Sequence, residues 1–309
     1  MRKEKIKAVG AMQEYIKSHM TVPITLFDLA QSCGLSPWHA SRIFKEILGK
    51  TPFEYIRACR VSQAALKLRD EDVKVIDVAL DFVFDTHEGF TRAFSRQFGI
   101  NPGQYKKHTP PVNLFLPHQI MDAYPNLFKK GNQMDKDNLK STKREALNTV
   151  FVQVVERPAR KMILKRGLNA TDYYEYCKEV GCDIWGVLVS IKDALYEPVG
   201  LWLPSRLVPR GTSVYAQGVE VLADYSGQIP EGFDIIDLKP CKMMIFQGPP
   251  FKNEDFEEAI QNLWEVMKSY NPELYGFEWA DQDAPRFQME PQGYRGYIEG
   301  RPVREITKK

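Results

Sequence analysis

The sequence contains no apolar run of about 18 residues, so it predicts no membrane-spanning helix and no membrane partner. No signal-peptide core follows the charged start Met-Arg-Lys-Glu-Lys. Cysteines number five, an odd count without framework spacing, which is typical of a reducing compartment and predicts free thiols and a cytoplasmic location. Metal-ligand, phosphate-loop and nucleophile-elbow spacings are also missing. We therefore expect no metal, no cofactor and no enzymatic activity.

A large excess of one charge is absent as well, since the formal net charge is only +2. The charge is nevertheless unevenly distributed. Residues 1–109 contain 17 lysines and arginines against 12 acidic residues, whereas residues 147–309 contain 19 against 24. This asymmetry favours an N-terminal part that contacts phosphates and a C-terminal part that does not.

The clearest local pattern is the stretch from Ser36 to Gly49. Ser36 can cap a helix that begins at Pro37, and the apolar spacing that follows forms one buried stripe of Ile43, Phe44, Ile47 and Leu48. The opposite face would carry Trp38, His39, Ser41, Arg42 and Lys45. Upstream, a capping box and a Gly34 turn predict a shorter helix. The order is that of a helix-turn-helix, whose second helix can enter a DNA major groove.

This pattern occurs twice. A shift of 50 positions pairs Ser36 with Thr86 and Arg42 with Arg92, and it also pairs Phe44 with Phe94 and Gly49 with Gly99. A run of matches in one register indicates an internal duplication. Between the copies, a capping box predicts a helix from Pro52 to about Leu68, roughly 26 Å long. Such a helix could hold two recognition helices about one turn of DNA apart.

Residues 6–107 resemble the DNA-binding domain of AraC/XylS-family transcription regulators, in particular the MarA/Rob/SoxS branch. The resemblance lies in Ser-Pro-Trp-His-x-x-Arg-x-Phe-Lys from residue 36 and Phe-Thr-Arg-Ala-Phe from residue 90. It implies that both recognition helices contact double-stranded DNA. Carried over by position, the DNA-binding residues would be Trp38, Ser41, Arg42 and Lys45 in the first copy and His87, Glu88, Thr91, Arg92 and Arg96 in the second.

Some positions depart from that branch. Gln is usual in the branch where this chain has Ser41, His87 and Glu88. A carboxylate near a phosphate is repelled, although it can accept a hydrogen bond from cytosine N4. Val83 occupies a position where many family members have Gly. We therefore expect a different target sequence and weaker binding by the second helix.

The remainder of the chain divides into a linker and a second domain. Residues 110–146 begin Pro-Pro and include a stretch at 135–144 with almost no apolar residue, which predicts a linker after a first domain at 1–109. Residues 147–309 show two passes of the same strand and helix pattern, related by a shift of 82 that pairs Met162 with Met244. In each pass, strands precede and follow one helix, beginning near Thr171 and Asn253. The last strand is predicted near 294–298.

The predicted fold is therefore multidomain: an all-α N-terminal domain with two helix-turn-helix motifs, followed by an α+β C-terminal domain of two β-α-β-β repeats. The second domain resembles the GyrI-like effector-binding domain in the order of its elements. That resemblance implies a groove for a small amphipathic, often cationic molecule, held by aromatic faces and a buried carboxylate. The candidate effector contacts are Tyr173, Trp185, Trp202, Tyr215, Glu220, Tyr297 and Glu299, while Trp264 is expected in the core.

Together these patterns predict a ligand-responsive regulator that activates or represses transcription. Its effector would change either promoter affinity or contact with RNA polymerase. Two alternatives stay open at this point. Some GyrI-like domains are hydrolases of small molecules, and the domain could also sequester a ligand without regulating transcription.

Overall fold

The computed structural model describes residues 2–117, 149–181, 183–252 and 255–307. Contacts between residues divide the chain into two compact units, 1–139 and 140–309. Within the described ranges no helix has both the length and the apolar character needed to cross a membrane. Most of the predicted linker, residues 118–146, and the predicted helix cap Asn253 lie outside the described residues.

The described part of the first unit is all-α, as predicted. Its helices are α1 (Arg2–Ser18), α2 (Leu26–Cys33), α3 (Pro37–Leu48), α4 (Pro52–Asp70), α5 (Val75–Asp81), α6 (His87–Phe98) and α7 (Pro102–His108). Helices α2 and α3 form the first helix-turn-helix, and α5 and α6 form the second. Helix α4 contacts α3 of the first motif and α5, α6 and α7 of the second half of the unit.

The two recognition helices begin and end as the sequence predicts. Ser36 caps α3 by accepting a hydrogen bond from the His39 N–H, and Thr86 caps α6 in the same way. Gly49 and Gly99 end these helices in the left-handed conformation. The capping boxes at the starts of α2 and α4 are also present, and α4 extends to Asp70, two residues beyond the predicted end.

Each helix-turn-helix has its own apolar centre. Ile43 and Phe44 of α3 pack into a cluster with residues of α1, α2 and α4. In the second copy, Phe94 contacts the rings of Phe90 and Tyr105. The start of the predicted linker packs on this unit too, because Phe115 lies edge-on to Tyr55 and its N–H donates to the Ser62 hydroxyl at 2.7 Å.

The turn of each helix-turn-helix contains one residue with left-handed backbone, but the residue type differs between the two copies. Gly34 adopts φ 70° after α2, and Val83 adopts φ 62° after α5. A β-branched residue is strained there by roughly 1–2 kcal/mol, because its Cβ approaches the carbonyl group. We expect Val83→Gly to stabilise the first unit by about 1 kcal/mol, the entropy of glycine offsetting part of the relief. Thermal unfolding followed by circular dichroism would show a midpoint about 4–8 °C higher.

The matched control is Gly34→Val. A Cβ added at Gly34 would meet no atom within 4 Å, so the expected cost is mainly that of the left-handed backbone. This variant should lower the midpoint by a comparable or larger amount. An unchanged or lower midpoint for Val83→Gly would show that the turn after α5 tolerates valine without strain.

The described residues of the second unit form a nine-stranded antiparallel sheet. The strands are β1 (Phe151–Arg157), β2 (Arg160–Arg166), β3 (Val199–Trp202), β4 (Tyr215–Leu222), β5 (Asp234–Leu238), β6 (Cys241–Gln247), β7 (Phe277–Trp279), β8 (Arg286–Met289) and β9 (Ile298–Glu305). Their order is β1-β6-β9-β8-β3-β4-β2-β5, and β7 pairs with the end of β9. The last strand therefore begins where the predicted one ends and continues through Pro302, a residue that usually argues against a strand interior.

This order confirms two β-α-β-β repeats. The first contributes β3-β4-β2 and the second contributes β6-β9-β8, so the repeats meet where β3 pairs with β8. The single helix predicted from Thr171 is instead two, α8 (Tyr173–Glu179) and α9 (Ile184–Ser190). The chain leaves helical geometry at Gly181, which has φ 97°. The second repeat carries α10 (Phe256–Ser269).

The two faces of the sheet differ where the repeats meet. Val199 and Leu201 of β3 pack with Phe287 and Met289 of β8 on one face. Alternation in a strand then places Trp202, Arg286 and Gln288 on the other face. This is the face on which α8, α9 and α10 pack.

The cysteines follow the sequence prediction only in part. Cys33, Cys59 and Cys241 are free thiols. Cys177 of α8 is disulfide-bonded, so the prediction of reduced thiols is wrong for this residue. Pairing depends on the approach of two side chains, and spacing in sequence does not reveal it.

Candidate functional site

The first candidate surface is the exposed face of α3. Trp38 is 70% exposed, and the guanidinium carbon of Arg42 lies 4.9 Å from its ring centroid. Lys45 is exposed and Ser41 is half-buried. These four residues and Glu46 border one shallow depression. The stacking holds the Arg42 guanidinium over the indole, where it can contact a partner that lies along the helix.

The single acidic residue at this depression is paired with α1. Lys5 donates to both Glu46 oxygens, at 2.6 and 2.8 Å. This hydrogen bond is the main cause that lowers the pKa of Glu46, and the nearby Arg42 charge lowers it further. The Glu46 carboxylate is therefore paired with Lys5 of α1, so it does not neutralise the positive charges of Arg42 and Lys45 on this face.

The second candidate surface is the matching face of α6. His87, Glu88, Arg92 and Arg96 are exposed. Thr91 is half-buried, and its hydroxyl oxygen is buried without a hydrogen-bond partner among the described residues. The hydroxyl of Thr91 is thus less accessible than its position in the helix suggests, whereas the four long side chains are free to contact a partner.

The two faces are related through α4. Arg42 and Arg92 occupy equivalent positions of the repeat, and both are exposed. Helix α4 has 19 residues, or about 28 Å. One turn of B-form DNA is about 34 Å, the spacing that paired recognition helices bridge. The first unit therefore presents two cationic helix faces with a rigid element between them.

The third candidate site lies in the second unit, around a buried carboxylate. We call it the Glu299 site; it consists of Glu299 with Trp202, Trp264, Arg286 and Tyr297 around it. Glu299 of β9 is 0% exposed. One of its oxygens accepts from the Trp264 indole N–H and from the Tyr297 hydroxyl, the latter at 2.6 Å. Its other oxygen accepts from Arg286 Nε at 2.8 Å and also from Arg286 Nη2. Protein groups thus donate two hydrogen bonds to each oxygen of this buried carboxylate and satisfy it without water.

Arg286 also contacts an aromatic ring. Its guanidinium carbon lies 4.5 Å from the ring centroid of Trp202, its partner across β3 and β8. The Trp202 indole N–H donates to the Thr171 carbonyl at 2.9 Å. Arg286 is therefore held between an aromatic face and a carboxylate.

Hydroxyl and amide groups continue this network along the sheet. Burial raises the pKa of Tyr297 well above its ordinary value, so the hydroxyl keeps its proton and donates to Glu299. The Gln288 amide lies between the two tyrosines: it donates to the Tyr215 hydroxyl at 2.9 Å, and its oxygen lies 3.0 Å from the Tyr297 hydroxyl. Tyr215 passes over Gly200, where a Cβ would lie 2.2 Å from the hydroxyl.

The structure brings together four of the predicted effector residues, namely Trp202, Tyr215, Tyr297 and Glu299. Tyr173 lies in the apolar cluster that also contains Trp202 and Tyr215. Trp185 packs into the same cluster, and its indole N–H is buried without a partner among the described residues. Trp264, which the sequence places in the core, is 42% exposed and forms one side of the Glu299 site.

Glu220 lies elsewhere. It follows Tyr215 by five residues in β4, so its side chain points to the opposite face of the sheet. There it accepts from Arg160 Nε at 2.7 Å and from Arg157. Glu220 is therefore the centre of a buried ion cluster and does not face the Glu299 site.

Sequence reasoning missed Arg286, Gln288 and the hydrogen bond from Trp264. The strand at 286–289 alternates polar and apolar residues, which indicates that Arg286 and Gln288 share a face. What that face meets depends on the pairing of β8 with β3 and β9, strands from both repeats.

Comparison with known proteins identifies the first unit. Residues 29–108 match the family model described as a helix-turn-helix domain. The HTH-type transcriptional activator AarP of Providencia stuartii is 37% identical over 92 residues, which are 30% of this chain and 68% of that protein. The transcriptional regulator Rob of Salmonella typhimurium is 38% identical over 108 residues, which are 32% of this chain.

The chain spans only part of some relatives, since its match covers 37% of the Rob protein. Among solved structures, that of SAV2435 bound to tetraphenylphosphonium aligns with 50% of this chain and 94% of its own. The sequence identity is 18% and the TM-score 0.34.

Proposed function

Since this chain belongs to the AraC/XylS family of helix-turn-helix transcription regulators, we propose that α3 and α6 enter successive major grooves of one duplex. The observation that carries this proposal is the equivalent, exposed placement of Arg42 and Arg92 on two helices joined by α4. Arginine can bind guanine O6 and N7 with two hydrogen bonds or contact phosphates. Both helices belong to one polypeptide, so a single chain can read an asymmetric site.

Selection of bound duplexes from a random DNA pool tests this function. The full chain should enrich a non-palindromic site with two conserved blocks whose centres lie about 10 base pairs apart. Enrichment without sequence preference, or of a palindrome alone, would contradict reading by two different helices of one chain. Binding should be measured at controlled salt concentration, because phosphate contacts make affinity depend on salt.

Glu88 is expected to specify one base of that site. Its carboxylate lies exposed in the first turn of α6, the part of a recognition helix that contacts base edges. A carboxylate accepts from cytosine N4, whereas glutamine pairs with adenine N6 and N7. Selection with Glu88→Gln should therefore replace cytosine by adenine at one position, a change in preference of about 1–3 kcal/mol.

The control is Asp77→Asn, which removes an exposed negative charge from α5. It should leave the selected sequence unchanged. Identical sequences selected by Glu88→Gln and the unaltered chain would show that Glu88 reads no base.

We further propose that the second unit binds a small amphipathic molecule at the Glu299 site and so alters promoter affinity or contact with RNA polymerase. The supporting features are the buried carboxylate and the indoles of Trp202 and Trp264 beside it. Such sites combine large apolar faces with few polar groups that fix the ligand.

A thermal-shift screen of a small-molecule library on the full chain tests effector binding. A ligand present at 100 times its Kd should stabilise the folded protein by about 2.7 kcal/mol. Trp202→Ala should weaken this stabilisation, because the indole face beside Arg286 and Glu299 is then lost. A ligand that shifts unfolding and also changes affinity for the selected duplex supports regulation. Turnover of the ligand would support the hydrolase alternative, and binding without an effect on DNA would support sequestration.

A further inference from the structure

The charge of Glu299 is already matched inside the protein. Its two oxygens accept from Trp264, Tyr297 and Arg286, and its side chain is 0% exposed. A ligand cation that approached this carboxylate would find no free acceptor position as the site stands. It would have to take the place of one of the three donors.

Arg286 is the donor that a ligand cation would have to displace, because it is partly exposed and, unlike the exposed Trp264, it is charged. Its side chain is 34% exposed, whereas that of Glu299 is 0% exposed. It carries the only positive charge among the three donors, and it stacks on Trp202 while it pairs with Glu299. An aromatic face on one side and a carboxylate on the other is the arrangement that recognises an organic cation. In this chain Arg286, a residue of the protein itself, lies where the organic cation would lie.

We propose that Arg286 is an internal cation that occupies the cation position of the Glu299 site, so that this site favours uncharged aromatic ligands over cationic ones. This inference rests on the proposed effector function of the second unit. A second cation at Trp202 would lie beside the Arg286 guanidinium and be repelled by it. An uncharged planar ring can stack on the same indole without separating Arg286 from Glu299.

The test compares two probes that share one ring system and differ in charge. Acridine is uncharged in mildly alkaline buffer, and N-methylacridinium is a permanent cation. Quenching of tryptophan fluorescence in the full chain measures the Kd of each. The unaltered protein should bind acridine more tightly than N-methylacridinium. Arg286→Gln should bind N-methylacridinium at least about tenfold more tightly than the unaltered chain, because Glu299 is then free to pair with the probe. Its affinity for acridine should change little.

Two further variants locate the effect. Arg286→Lys retains the positive charge and should retain the preference for acridine. The double variant Arg286→Gln, Glu299→Gln should lose the gain for N-methylacridinium, because no carboxylate remains to pair with it. If Arg286→Gln unfolds by circular dichroism, Arg286→Met keeps an apolar side chain on Trp202 and should show the same reversal of preference.

Two results would overturn the inference while leaving effector binding intact. One is tighter binding of N-methylacridinium than of acridine by the unaltered chain. The other is an unchanged ratio of the two affinities in Arg286→Gln. If neither probe binds any variant, the inference also fails, whereas effector binding itself is decided by the library screen.

Discussion

Replacing Arg42 and Arg92 together by alanine is expected to abolish specific DNA binding. Each arginine is exposed at an equivalent position of a recognition helix, and loss of a base-reading arginine costs about 1–3 kcal/mol. The double variant should therefore lose roughly 2–6 kcal/mol, which is about 30-fold to more than 10⁴-fold in Kd. Each single variant should lose part of this and relax preference in only one block of the site. Titration of a selected duplex at fixed salt measures the loss.

Removal of positive charge alone would also weaken binding, and Lys17→Ala separates that effect. Lys17 is exposed on α1, outside both recognition helices. Lys17→Ala should reduce the affinity for DNA by only a small factor, and by the same factor for the selected duplex and for unrelated duplexes. Unchanged affinity of the double arginine variant for its selected duplex would remove the basis for assigning α3 and α6 to the grooves.

Glu220→Ala is expected to destabilise the second unit by about 3–5 kcal/mol, because it leaves two guanidinium groups without their carboxylate. Arg160 is buried and donates to Glu220 at 2.7 Å, and Arg157 donates to the other oxygen. Arg160 also donates to the Pro158 carbonyl at 3.1 Å, so it cannot simply turn toward solvent. Urea unfolding followed by tryptophan fluorescence reports mainly on this unit, which holds Trp185, Trp202, Trp264 and Trp279.

The control is Glu231→Ala, which removes an exposed carboxylate from the same unit. It should change stability by no more than about 0.5 kcal/mol. A second comparison uses the triple variant Arg157→Met, Arg160→Met, Glu220→Leu. Replacing the whole cluster by apolar residues should cost much less than Glu220→Ala, because no buried charge is left unpaired. Equal losses in the two variants would show that packing, and not charge pairing, sets the stability at this position.

Local signals predicted the first unit well. Caps at Ser36, Thr51 and Thr86 act through hydrogen bonds to residues three positions away, so a short stretch of sequence is sufficient to predict them. Gly34 can adopt positive φ, and Val83 occupies a position where many family members have Gly; the structure shows left-handed backbone at both. The exposed faces of α3 and α6 also follow from helical periodicity alone.

In the second unit, local signals predicted the repeated order of strands and helices but not the site. Glu220 and Glu299 were both candidates for the effector carboxylate and both lie on strands of the sheet, and the sequence alone does not show which of them faces the site. Only strand pairing directs Glu299 toward Trp264 and Arg286 and directs Glu220 toward Arg157 and Arg160. A change of one position along a strand turns a side chain to the other face, so a small error in register exchanges the two roles.

The sequence by itself determined the recognition helices, their caps, the duplicated helix-turn-helix and the repeat of the second unit, because these depend on residues close together in the chain. The tertiary structure alone decided that Arg286 fills the position beside Glu299 and Trp202. Trp202, Arg286 and Glu299 come from three strands of two repeats, and their contact depends on which strands are neighbours. Pairing of strands far apart in sequence is fixed by packing of the whole sheet, and no short stretch of residues encodes it.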